Sequence, residues 1–123
     1  MTVQSFFVPG PLPGMNEIVE ASKQGSKGRI YAAMKRDNTA LVRLCARLLD
    51  PMSAAHVRLE WREPNKRRDP DNIRAGVKFV LDGLVAADVL GGDGWSHVRS
   101  LADAFAVDAD RPGVLVTLEE ATK

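Results

Sequence analysis

Lys66-Arg67-Arg68-Asp69-Pro70-Asp71-Asn72 turns from basic to acidic within one short run, and it opens the segment that decides the fold. Ile73 to Ala87 follow with amphipathic periodicity, and Gly91-Gly92-Asp93-Gly94 breaks them off with a further carboxylate. At ~100° per residue, Asp71, Lys78 and Asp82 share a wedge of roughly 40°, with Ile73, Val77, Val80 and Leu84 opposite. One face of the predicted helix is therefore core, and the other lines up two carboxylates and an ammonium. Just upstream, Ala55 to Glu63 alternates: Val57, Leu59 and Trp61 point one way, His56, Arg58, Glu60 and Arg62 the other. That is a half-buried strand, and it delivers the chain straight into the charged run.

Working outward, Val3 to Val8 reads as a strand closed by prolines 9, 11 and 13, which favour an extended path. Asn16 is placed to cap a short helix over Glu17 to Lys23, and Gly25-Ser26-Lys27-Gly28 reads as a mobile basic loop. A longer helix is expected from Arg29 to Leu49, with a kink at Asp37-Asn38 and a stop at Asp50-Pro51. Its core stripe would be Ile30, Met34, Leu41, Leu44, Cys45 and Leu48. The other side carries Arg29, Arg36, Arg43 and Arg47 in register over ~27 Å, with Lys35 nearby. Beyond the acidic segment, His97 to Val107 contains a strand, Asp108 to Gly113 turn the chain, and Val114 to Leu118 return as its partner strand. The order βααβαββ predicts one α+β domain over residues 1–123, a small mixed sheet with helices packed on it.

Length and composition fit that picture. The chain has 123 residues, 45% hydrophobic and 27% charged, enough for one core without metal or disulfide staples. Cys45 is the only cysteine, which points to a reducing compartment. No leader pattern and no apolar run of ~20 residues is present, so a cytoplasmic protein with no membrane span is expected. Charge is uneven: residues 1–68 hold 12 Lys/Arg against 6 Asp/Glu, whereas residues 69–123 hold 5 against 10. Such a division suits a protein that grips a polyanion with one region and cations with another, and equally suits two halves that neutralise each other. On the first reading Lys35, Arg36, Arg43, Lys66, Arg67, Arg68 and Arg74 are the candidate DNA contacts.

Asp69 before Pro70 is also ordinary helix-start chemistry, worth about 1 kcal/mol. Capping needs one carboxylate, however, and gives no reason for Lys78 and Asp82 further along the same face. Magnesium is usually held by one or two carboxylates, water and substrate phosphate. Asp69, Asp71 and Asp93 are the candidates for such a site, with Asp88 competing for the third place or merely ending the helix. Lys78 would stabilise charge on the phosphate, and Asp82 would orient Lys78 unless the two form a plain surface pair. His56 and His97 are not spaced with Cys45 as zinc ligands, and Trp61 and Trp95 read as core or dimer-contact residues.

The ordered set Asp69-x-Asp71-Asn72, Lys78, Leu81-Asp82-Gly83-Leu84 and Asp93 resembles the RusA-like Holliday-junction resolvases, phage-borne members included. The likeness covers Trp61 to about Arg99, with weaker support from Pro9 to Asn16. It implies a small α+β homodimer that uses magnesium, or manganese in its place, to nick four-way DNA junctions symmetrically. Asp69, Asp71 and Asp93 would be its metal carboxylates and Lys78 its catalytic lysine, with Asn72 and Asp82 in support. Two departures stand out: Asp71 to Lys78 is longer than in the best-known members by about one helical turn, and Gly92 stands where many members carry the first of two adjacent aspartates. A two-fold dimer offers paired sites to a nearly two-fold junction. The competing readings are a DNA-binding or phage accessory protein whose acids only cap a helix, and a metal-dependent phosphodiesterase of smaller substrates.

Overall fold

The computed structural model describes residues 2–24 and 28–122, so most of the basic loop expected at Gly25-Ser26-Lys27-Gly28 lies outside the described residues. Strand β1 (Val3–Pro9) leads to helices α1 (Met15–Lys23) and α2 (Arg29–Ala46). Strand β2 (Ala55–Glu63) leads to α3 (Pro70–Arg74) and α4 (Val77–Ala86), and β3 (Val98–Val107) and β4 (Gly113–Glu120) complete the fold. The architecture is the expected α+β one, with the alternating segment forming β2 over the bounds its period marks.

The sheet is mixed, in the order β1-β4-β2-β3. β4 runs antiparallel to both β1 and β2, while β2 and β3 are parallel, joined by the α3–α4 crossover that a parallel pair requires. This corrects the expectation that β4 partners β3. The turn after β3 crosses the end of β2, where the Asp108 N–H donates to the Glu63 carbonyl at 2.8 Å. Val114, Val116 and Leu118 are all buried, as suits a strand flanked on both sides by β1 and β2. Inward residues of β1, β2 and β4 meet Val42 and Ala46 of α2, Ile73 of α3, and Phe79, Val80 and Leu84 of α4 in one core.

The helices depart from expectation in three ways. α2 ends at Ala46 rather than Leu49 and runs unbroken through Asp37-Asn38, whose Asn38 Nδ2 donates to the Met34 carbonyl at 2.8 Å. Its buried residues are Val42 and Ala46, with Met34, Leu41 and Cys45 of the expected stripe packed partly buried against the core, whereas Ile30, Leu44 and Leu48 are exposed. α1 begins at Met15 with Gly14 as its N-cap, and Asn16 is itself capped from outside by Asn72.

The third departure bears on the site. Ile73 to Ala87 is two helices, separated by a tight turn at Ala75-Gly76 in which Gly76 N–H bonds the Ile73 carbonyl at 3.2 Å and Phe79 N–H the Gly76 carbonyl at 3.1 Å. Gly76 presses on the core: a Cβ there would stand 3.1 Å from the Leu12 Cβ and 3.3 Å from the Trp61 ring. Gly83 likewise lets α4 close on α2, since any Cβ would overlap Val42. Asp88 ends α4 in the left-handed region, φ 60°, with Val89 N–H turned back to the Leu84 carbonyl at 3.0 Å. That conformation gives Asp88 a terminating role. Among the described residues no helix is long and apolar enough to cross a membrane.

Candidate functional site

Inward alternation along β2 carries an acid, Glu63, into the core margin, where it is 6% exposed. A buried carboxylate needs a charged partner with matching geometry. Arg68 supplies it by a two-pronged contact, Nε to Oε1 at 2.9 Å and Nη2 to Oε2 at 2.8 Å. Its remaining Nη1 donates to the Leu12 carbonyl at 3.1 Å and to Glu17 Oε1 at 2.9 Å. Hydrogen bonding to Glu63 raises the Arg68 pKa despite burial, so the guanidinium stays charged. For Glu17, burial pulls upward, but hydrogen bonds from Gly14 and Arg68 and the Arg68 charge prevail and hold the carboxyl below its usual value. Arg68, expected to touch DNA, is instead the knot that ties the Pro64–Arg68 loop to β2 and α1.

That knot sets the position of the acids. Asp69 occupies the N-cap position of α3, φ −73° and ψ 153°, and Pro70 the first turn, as the sequence predicts. The Asp69 side chain nevertheless makes no capping hydrogen bond, and only its backbone carbonyl accepts from Ile73 N–H at 3.0 Å. Its carboxylate is exposed and uncommitted among the described residues. Asp71, also exposed, accepts among the described residues only from the adjoining Asn72 N–H at 3.0 Å. Both acids line a polar hollow with Asn16, Glu17 and Arg67. Asp69 also borders a cleft of about 580 Å³ walled by Lys66, Pro70, Phe105, Ala106 and Val107. Asn72 serves the scaffold: its Oδ1 accepts the Asn16 N–H at 2.9 Å, joining α1 to α3. A Cβ on Gly14 would lie 2.6 Å from that oxygen, so glycine is needed where the two elements touch.

The other predicted residues sort differently. Arg74, a candidate DNA contact, pairs with Asp103 of β3 at 2.9 Å, and Asp103 also accepts the Trp61 indole N–H at 2.8 Å. Asp82 faces Lys35 of α2 at 3.8 Å rather than Lys78, so it does not orient that lysine. At that length Asp82 Oδ2 has no hydrogen bond, and the buried Thr39 hydroxyl lacks one too. Both residues line a separate hollow with Lys35, Gly92 and Asp93. Lys78 is exposed, without an ion pair among the described residues. Lys66, Arg67, Arg36 and Arg43 are exposed, Arg36 with an ion pair to its neighbour Asp37. His97 packs on Gly91 and Gly92 and contacts the Ser53 carbonyl at 3.1 Å, a structural wedge. Trp61 is core; Trp95 is 96% exposed.

Asp93 is not brought to Asp69 and Asp71 within one chain. Its hollow is lined by Val85 and Ala86 at the end of α4, whereas Asp71 starts α3. Among the described residues no three His, Cys, Asp or Glu side chains are grouped to hold a metal ion. Glu63, Glu17 and Asp103 went unnoticed in the sequence, although an acid in the inward phase of β2 is a signal that a cation must approach it.

No protein-family model matches the chain, and none of the curated proteins compared with it matches.

Proposed function

We propose that the protein is a divalent-metal-dependent endodeoxyribonuclease that acts on branched or four-way DNA. The observation that carries this reading is the uncommitted pair Asp69 and Asp71 at the mouth of α3, with Lys66 and Arg67 exposed on the same rim. A carboxylate spent on capping would be bonded to the helix; Asp69 is not. Two carboxylates suffice on the protein side for magnesium, which keeps waters and takes phosphate oxygens. Asp69 and Asp71 would hold the ion, which when bound polarises a phosphate and makes hydroxide available near neutral pH. Around it, Lys66 and Arg67 draw the DNA backbone in, and the Arg68–Glu63 knot holds both acids to a fixed loop. Lys78, on the exposed side of α4, is the reserve cation for phosphate charge.

The test is cleavage of a synthetic four-way junction with magnesium or manganese. Asp71→Asn is expected to lower nicking by at least a hundredfold while leaving junction affinity within a few fold. The competing reading, DNA binding without hydrolysis, is favoured by the lack of a three-ligand group among the described residues of one chain. A wild-type protein that binds junctions and never nicks them with either metal would establish it.

A further inference from the structure

The cleft beside Asp69 is larger than an ion and one phosphate require. Its volume, about 580 Å³, lies among sites that enclose a small organic group, roughly 300–1,000 Å³. Its apolar lining comes from two elements, Pro70 and Ile73 of α3 and Phe105 and Val107 at the end of β3. Strand register sets Phe105 beside Trp61 and Val107 beside Glu63, on the sheet face that carries the core. Both nevertheless stay open to solvent, at 41% and 50% exposure. Phe7, on the opposite face, has its ring covered by the guanidinium groups of Arg111 at 4.5 Å and Arg62 at 5.7 Å. Among the described residues no cation lies over Phe105, so its ring is free to stack.

Charge narrows the choice of ligand. The four charged residues of the lining, Glu63, Lys66, Arg68 and Asp69, sum to zero, and Glu63 and Arg68 are locked in their two-pronged contact. Such a lining has no net attraction for an anion. Asn65 adds an amide whose Oδ1 accepts the Arg67 N–H at 3.0 Å, which fixes the group and leaves its Nδ2 to donate. An open aromatic ring, apolar neighbours and one amide suit a planar, uncharged group with hydrogen-bonding edges, and a nucleobase is such a group. Position argues the same way. Asp69 belongs both to this cleft and to the polar hollow it shares with Asp71. A strand whose phosphate lies at the two acids therefore brings a neighbouring base to the cleft.

We propose that the cleft between α3 and the end of β3 receives one unstacked nucleobase of the bound DNA, stacked on Phe105 and hydrogen-bonded by Asn65. The proposal rests on the reading above for DNA as the ligand, and not for its hydrolysis. It also gives a reason to prefer branched DNA. Taking a base out of the stack costs least where pairing is already broken, so a regular duplex fills the cleft only at a penalty.

Affinity for a synthetic four-way junction, measured without divalent metal so that nothing is cut, tests the base site. Single abasic residues are walked through the nucleotides next to the branch point. One position is expected to weaken wild-type binding about tenfold and to leave binding by Phe105→Leu unchanged, since that variant has already lost the stacking ring. Phe105→Leu should itself weaken junction binding about tenfold and duplex binding within about twofold, and Phe105→Tyr should keep the wild-type affinity. A scan in which no position matters overturns the proposal and leaves the cleft to an apolar side chain of another protein. Equal losses on junction and duplex for a folded Phe105→Leu overturn it as well, as does a wild type that binds no DNA. The scan needs only the wild type, so it decides even where circular dichroism shows a Phe105 variant unfolded. Base-dependent binding without nicking in magnesium or manganese keeps the base site and ends the nuclease reading. Nicking with base-indifferent binding does the reverse.

Discussion

Asp69 and Arg68 are neighbours with opposite fates, and the difference explains why the acids are accessible. Arg68 spends its guanidinium on Glu63, Glu17 and the Leu12 carbonyl, while Asp69 turns its carboxylate outward unbonded. Arg68→Ala leaves Glu63 charged and unpaired in a nearly buried position, a loss of about 3 kcal/mol; urea unfolding should show it, and Glu63→Gln/Arg68→Met should recover part. The same knot predicts an acid-side weakness. The Glu17 pKa is lowered in the folded state, so its contribution is present above the unfolded carboxylate value and is lost as pH falls through the folded one. A Glu17→Gln variant should flatten the acid limb of a plot of stability against pH. None of this was legible in Lys66-Arg67-Arg68, because three adjacent cations look alike until the fold brings an acid to one of them.

Elements were legible where one period dominates. β2 shows clean alternation from Ala55 to Glu63, and the structure keeps those bounds. α2 carries apolar residues on more than one face: of the expected stripe Met34, Leu41 and Cys45 pack against the core beside Val42 and Ala46, whereas Ile30, Leu44 and Leu48 are exposed. The α3–α4 break was hidden because periodicity continues across it, and the cause is tertiary: Leu12 and Trp61 press on Gly76. Strand order was equally hidden, since local pattern does not say which neighbour a strand takes. Glycine in Leu81-Asp82-Gly83-Leu84 has a packing reason that the motif alone does not reveal. Gly83→Ala improves helix propensity by about 1 kcal/mol, yet its methyl would overlap Val42, so net destabilisation of a few kcal/mol is expected. Thermal melting decides the sign.

For the whole molecule, the uneven charge of the sequence resolves into internal pairs and a free remainder. Arg68, Arg74 and Lys35 are paired across the fold, while Arg43, Lys66 and Arg67 stay exposed. If the proposed nuclease reading holds, junction affinity should therefore fall steeply with salt, and Arg43→Gln and Arg67→Gln should each reduce the log–log slope by about one without changing which branched shapes are preferred. A titration from low to physiological salt reads both. The candidate site was half legible: Asp69 and Asp71 came from adjacent sequence, but Asp93 depends on long-range placement. One further property follows from where β4 lies. Because Gly113–Glu120 fills the gap between β1 and β2, a chain emerging from the ribosome leaves β1 without its neighbour, and β2 with β3 alone, until β4 has come out. Closure of the sheet must then wait for β4, and until that strand emerges the nascent polypeptide depends on chaperones or on speed to avoid joining its neighbours.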